Sequence, residues 1–211
     1  SKHASKKAEQ FLKKLGVKVH CNTFVKDYDG KTVVTNSDLQ MQSETLIWAA
    51  GVTGDPVEGL PADSLMERSN RYKVNRFNQV EGYDTIFALG DIALMETQAY
   101  PQGHPQVAQP AIQQGKLLGK NLIKFVNGKP MKPFTYKDKG SMATIGRNKA
   151  VVDLKGFKFA GFFAWFVWMF IHLMALVGFR NRVIVFFNWS YNYINFDKAA
   201  RLIIRPFKKN G

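Results

Sequence analysis

The spacing of apolar residues changes repeatedly along the chain, and each change marks an element. Ala4, Ala8, Phe11, Leu12 and Leu15 share one helical face with most lysines off it, so residues 5–15 predict an amphipathic helix ended by Gly16. Val17-Lys18-Val19 then reads as the start of a short strand. Residues 24–34 alternate around Asp29-Gly30, a two-residue hairpin signal. Residues 45–51 (TLIWAAG) are a continuous apolar run closing on glycine, the pattern of a strand buried on both faces. Helix and buried strand in alternation, with a hairpin inserted, predict the back half of a nucleotide-binding α/β domain. The G-x-G-x-x-G that opens such a domain is absent from the sequence, so either the chain is a C-terminal part that begins in mid-domain or the α/β reading is wrong.

Residues 51–70, rich in Gly, Pro, Asp and Ser, read as a connector, and Tyr72 and Val74 as a half-buried strand. Residues 80–84 turn the chain into a second short buried strand, 85–89, which ends at Gly90-Asp91. A glycine there lets backbone approach a ligand closely, and an ionised Asp at a strand end accepts hydrogen bonds from adjacent hydroxyls. The same pair also suits an Asp that merely caps a turn. A helix follows in which Ala108, Ala111, Ile112, Gly115, Gly119, Leu122, Ile123 and Val126 recur at helical spacing. Four of the first five are tiny, so this face suits either a flat ring or tight packing on a strand. Pro101, Pro105 and Pro110 mark the loop and the helix start, where unbonded amides present partial positive charge, and Gln106, Gln109, Gln113 and Gln114 surround it. Strand, acid and small-faced helix in residues 85–119 together suit a flavin: the acid on its polyol chain, the helix start at its ring.

Beyond a helix stop at 127–130, residues 134–152 contain strand-like pieces around Gly140 and Gly146, with 147–149 as a turn. Composition then shifts. Residues 159–179 hold one ionisable side chain, His172, and by length and hydropathy would suffice to cross a bilayer. An aromatic-rich segment follows with Trp189, Tyr191, Tyr193 and Phe196. Lys198, Arg201, Arg205, Lys208 and Lys209 then mix with Leu202, Ile203 and Ile204 in a basic amphipathic tail, a pattern suited to an anionic lipid surface.

Charge narrows the classes. Lys and Arg number 30 against 16 acidic residues, a net +14. The basic residues cluster beside lipid-like aromatics, and no nucleic-acid-binding motif accompanies them, so nucleic acid is not the expected partner. A lone Cys21 excludes an internal disulfide, a dithiol redox pair and a cysteine-cluster metal site; no metal is expected. With His172 alone inside the apolar run, ion pumping is not expected either.

With these pieces placed, nearly the whole chain resembles the C-terminal half of the type II NADH dehydrogenases, single-subunit NADH:quinone oxidoreductases. Residues 48–52 (WAAGV) resemble the segment closing that family's NADH domain, and residues 85–91 (TIFALGD) a flavoprotein FAD motif. Residues 108–115 (AQPAIQQG) and 138–147 (DKGSMATIGR) resemble more specific family stretches. The resemblance implies an α/β fold: remnants of two Rossmann-like dinucleotide-binding domains plus a C-terminal membrane-associating helical region. Residues 1–70 would close the NADH-binding domain and its connector, 71–128 the FAD-binding domain, and 129–211 would form the membrane-associating domain. FAD would take hydride from NADH and pass two electrons to a membrane quinone. Gly90, Asp91, Ala108 and Gln109 would lie at FAD, and Ala50 and Gly51 near the nicotinamide. Gln106, Gln109, Ile112 and Gln113 would line the quinone site, with Gln106 and Gln109 as its catalytic pair. The implied location is the cytoplasmic face of a cell inner membrane, peripheral or monotopic, with a spanning helix at 159–179 and a homodimer left open. A sulfide:quinone oxidoreductase shares the architecture but needs a redox cysteine near its flavin, and nothing from Gly90 onward offers one. A non-catalytic membrane-docking fragment is the remaining alternative.

Overall fold

In the computed structural model, which describes residues 1–37, 39–57, 59–60, 65–66 and 69–195, the short-range signals of the sequence become elements almost where expected. The chain divides into two units: His20–Lys139, and Ser1–Val19 together with the chain from Gly140 onward.

Within the first of these, β1 (Val25–Tyr28), β2 (Thr32–Thr35) and β3 (Gln40–Gln42) form an antiparallel sheet in chain order. The β1–β2 turn is held by Asp29, whose Oδ1 accepts the amides of Lys31 at 2.8 Å and Thr32 at 2.6 Å. These bonds lower the Asp29 pKa below its ordinary value. A second small sheet comprises β4 (Leu65–Met66), β5 (Arg71–Lys73) and β6 (Ala93–Leu94), with β5 and β6 parallel. Its core contains Tyr72, Val74, Val80, Ala88, Ala93, Met95 and Phe134, and α2 (Ala108–Val126) follows it.

Two expected strands do not form. Residues 45–51 pair with no strand among the described residues, and Ile47 and Trp48 are 83% and 66% exposed. A strand apolar on both faces is stable only between neighbours, and here none flanks it. Residues 85–89 make one isolated antiparallel bridge, Gln79↔Phe87, formed by the bonds from Val80 N–H to Ile86 O and from Ala88 N–H to Asn78 O. The ladder strand of this region is β6, just after Gly90-Asp91 rather than before it. The strand expected at 17–19 is also absent; the Val17 amide instead donates back to Leu12 O at 3.1 Å.

The other unit opens with α1 (Lys2–Lys14) and continues with the meander β7 (Ser141–Thr144), β8 (Ala150–Leu154) and β9 (Phe157–Gly161). Ala150 and Val152 pack with Ala164 beneath Trp165 and Trp168. The apolar run at 159–179 is divided: its start completes β9, α3 (Phe162–Ala175) takes its middle, and α4 (Phe179–Asn195) begins at its end. Gly178, with φ +84°, lies between the helices in a conformation that resists a side chain. At 14 residues α3 is about 21 Å long, short of a hydrocarbon core of roughly 30 Å. No helix among the described residues is long and apolar enough to cross a membrane. Phe196 and the basic tail at 198–209 lie outside the described residues.

Candidate functional site

The Gly90-Asp91 pair forms a single tight turn, Gly90–Ile92, packed against α2. Gly90 adopts φ +71°, and a Cβ there would stand 3.2 Å from the Ala111 Cβ. The Gly90 amide donates to Gln114 Oε1 at 2.8 Å, and Gln114 is 2% exposed. On the far side of the turn, Gln106 Nε2 donates to the Asp91 carbonyl at 3.0 Å. Two glutamines, one buried and one half-buried, thus fix the backbone of the turn. The Asp91 carboxylate is left outward and exposed.

Asp91 has a cationic neighbour in Arg71, a buried side chain that the sequence reading passed over. Arg71 donates to the carbonyls of Ala93 at 2.5 Å and His104 at 3.3 Å. Burial lowers its pKa, and the Asp91 charge opposes that shift. His104, 5% exposed, is caged by the rings of Tyr100, Phe134 and Tyr136. Burial, with the charges of Arg71 and Arg76, lowers its pKa. No periodicity distinguishes Arg71 or His104 from other polar loop and strand residues; only the folded arrangement does.

Hydropathy alone does not sort the faces of α2. The buried stripe is Pro110, Gln114, Leu118 and Asn121. The small and apolar stripe stays open: Ala108, Ile112, Gly119, Leu122, Ile123 and Val126 are exposed, and a Cβ added at Gly115 or Gly119 would meet nothing within 4 Å. Among the described residues, Gly115 and Gly119 are therefore not packed on a strand. Buried carboxamides hold the helix instead, Gln114 through Gly90 and Asn121 through both backbone groups of Lys132, at 2.8 and 2.9 Å. The helix start has no side-chain cap, and the Val107 amide turns to the Pro105 carbonyl at 2.9 Å.

The remaining expected residues fall in two places. Gln109 Oε1 accepts from the Lys139 amide at 3.1 Å and the Tyr136 hydroxyl at 3.5 Å. Gln113 is bonded in both directions to the backbone of Lys137, at 2.9 and 3.0 Å. Gly90, Asp91, Gln106, Ala108, Gln109, Ile112 and Gln113 therefore belong to one connected stretch of turn and helix. Ala50 and Gly51 lie on the exposed segment after β3, and neither is hydrogen-bonded to the Asp91 turn.

In the other unit, α3 and α4 enclose an apolar cavity of about 630 Å³ lined by Trp165, Trp168, Met169, Trp189 and Tyr193 among others. Arg147 closes one side, donating to the Tyr193 carbonyl with its guanidinium 4.5 Å above the Tyr193 ring. Phe162, Phe163, Phe170, Val177, Phe179 and Phe187 are exposed on the same two helices and the link between them.

A family model described as pyridine nucleotide-disulphide oxidoreductase matches residues 1–115, and one described as the NDH2 C-terminal domain matches residues 139–195. A type II NADH:quinone oxidoreductase of Mycobacterium tuberculosis, NdhA, is 35% identical over 201 residues, 89% of this chain and 41% of the relative. The chain thus spans about two-fifths of the length of that curated relative. Among solved structures, NDH2 of Plasmodium falciparum in complex with NADH superposes with a TM-score of 0.77 at 17% identity, over 92% of this chain and 55% of that one. The sulfide:quinone oxidoreductase of Aquifex aeolicus superposes with 0.59 at 14% identity, over 75% and 41%. These two likenesses concern the fold alone.

Proposed function

We propose, because the chain belongs to the pyridine nucleotide-disulphide oxidoreductases and within them to the type II NADH dehydrogenases, that the intact protein is an FAD-dependent NADH:quinone oxidoreductase. In it FAD, when bound, accepts hydride from NADH and passes two electrons to a membrane quinone, without ion pumping. The observation that carries this reading is the Gly90-Asp91 turn. Its backbone is fixed by Gln114 and Gln106, and its carboxylate faces outward beside a helix whose small-residue stripe is open. These residues fit a flavin. An anionic acceptor on a rigid turn suits the hydroxyls of a polyol chain, and Gly90 leaves no side chain between backbone and ligand.

Residue roles follow from chemistry. Asp91 holds the polyol chain, and Ala108 and Gln109 meet the ring where the uncapped start of α2 favours negative charge. Gln106 and Gln109 orient the quinone, Ile112 supplies an exposed apolar wall, and Gln113 shapes the entrance by fixing the backbone at Lys137. Ala50 and Gly51 approach the nicotinamide. On this reading residues 1–70, 71–128 and 129–211 belong to the NADH-binding, FAD-binding and membrane-associating domains. The exposed aromatics of α3 and α4 rest in the interfacial layer of an anionic membrane, on the cytoplasmic face of the inner membrane. Nucleic acid is no partner, and a homodimer is compatible with the arrangement.

The test is Asp91→Ala in the full-length protein. Flavin content, read from visible absorbance after gel filtration, should fall to a small fraction of wild type, and NADH:quinone activity with it. Asp91→Asn, which keeps an acceptor without the charge, should retain an intermediate amount. Full flavin occupancy in Asp91→Ala would remove Asp91 from the site.

A further inference from the structure

Beside the middle of α2, from Gln113 to Lys120, the segment 132–137 returns and leaves a groove of about 430 Å³ between them. Lys116 and Lys120 line it from the helix, Lys132 and Lys137 from the segment, with Phe134 and Thr135 also at its wall. No carboxylate lines it among the described residues. The sequence shows how unusual this is: residues 97–137 contain six lysines and not one Asp or Glu.

Both walls are held rigidly. Gln113 exchanges two hydrogen bonds with the backbone of Lys137, and the buried Asn121 exchanges two with the backbone of Lys132. Because the clamps grip backbone, the segment keeps its place whatever its lysine side chains do. Four lysines thus line one concavity from a fixed backbone, including an i,i+4 like-charge pair on the helix, which is unfavourable when no anion is present. Strongly hydrated point charges of this kind suit phosphate oxygens, which each accept from several donors. A phosphomonoester carries roughly −1.5 to −2 near neutral pH and a diester less, so two linked phosphoryl groups offset at least two of the four lysine charges.

We infer that this groove is a binding site for a diphosphate-bearing anion, separate from the Gly90-Asp91 turn. The ligand is either a soluble diphosphate or the headgroup of a two-phosphate lipid; both carry two anionic phosphoryl groups.

The experiment uses the full-length protein with two charge-removing pairs, Lys116→Gln/Lys120→Gln and Lys132→Gln/Lys137→Gln. Matching Lys→Arg pairs test rescue, and Lys6→Gln/Lys14→Gln on α1 controls for overall charge. Pyrophosphate binding is measured by calorimetry at low and high salt, and vesicle binding by co-sedimentation with diphosphatidylglycerol or phosphatidylcholine. Flavin content and circular dichroism check that each variant is folded. At about fivefold per lysine, each Gln pair should weaken binding roughly 25-fold and reduce its salt dependence. The Arg pairs and the α1 control should stay within about twofold. Loss of pyrophosphate binding with vesicle binding retained identifies a soluble ligand. Loss confined to diphosphatidylglycerol vesicles identifies a headgroup. Wild-type behaviour of both Gln pairs in both assays, an equal loss in the α1 control, or no binding by wild type in either assay overturns the proposal.

Discussion

Gln114→Leu is the sharpest probe of how the candidate site is built. The wild-type side chain is almost wholly buried, and its Oε1 takes the Gly90 amide at 2.8 Å. Leucine nearly preserves the volume and keeps the helix, so the change removes one acceptor from the Gly90 amide and little else. Leaving a buried or half-buried N–H without a partner costs about 1–3 kcal/mol. Spent locally, that raises the opening equilibrium of the turn about 5- to 150-fold. Hydrogen exchange followed by mass spectrometry on a peptide covering residues 85–95 reads this factor directly in the full-length protein. Faster exchange should be confined to that peptide and the start of α2, and flavin should dissociate faster because Asp91 is no longer fixed. Gln114→Glu retains an acceptor for the amide and should restore much of the protection. Unchanged exchange and unchanged flavin retention in Gln114→Leu would mean that the turn is held by its own backbone, and the role given to Gln114 would be wrong.

Two further outcomes follow from the same structure. Because burial and the charges of Arg71 and Arg76 hold the His104 pKa below its ordinary 6.5, the folded state takes up its proton less readily than the unfolded chain. The stability this contributes is fully present above about pH 6.5 and is lost as pH falls through the lower folded value. His104→Phe, which fills the same ring cage, should flatten that part of a urea-unfolding pH series; an unaltered slope would show that His104 does not titrate differently on folding. In α4, Phe179 and Phe187 are 79% and 65% exposed, and full transfer of each ring into lipid is worth roughly 1.5–3 kcal/mol. Phe179→Ser/Phe187→Ser should therefore release the protein from anionic vesicles without loss of flavin, and undiminished binding would place the membrane contact elsewhere.

What the sequence made legible and what it hid divide along the range of the interactions involved. The 5–15 helix, the Asp29-Gly30 hairpin, α2 and the turn at 147–149 depend on residues a few positions apart, and each forms close to where it was expected. The runs at 45–51 and 85–89 carry equally clear apolar signals, yet neither forms a ladder strand. Such a run reports that neighbours are needed and is silent on where they come from. On the proposed reading they belong to the first halves of the two dinucleotide domains, and the 83% exposure of Ile47 measures how far this stretch depends on them. The same reasoning explains the faces of α2. Hydropathy assigns Gln114 and Asn121 to solvent because it prices a carboxamide without a partner, whereas each is buried satisfying backbone groups that would otherwise be orphaned. Ala108 and Ile112, positions hydropathy would bury, stay exposed, and a Cβ added at Gly115 would meet nothing within 4 Å. A helix that buries its amides and exposes its small apolar face carries its own fold-holding contacts on one side. The other side is left for something flat that the protein itself does not supply, and for that reason the exposed stripe favours a cofactor over a packing partner within this chain.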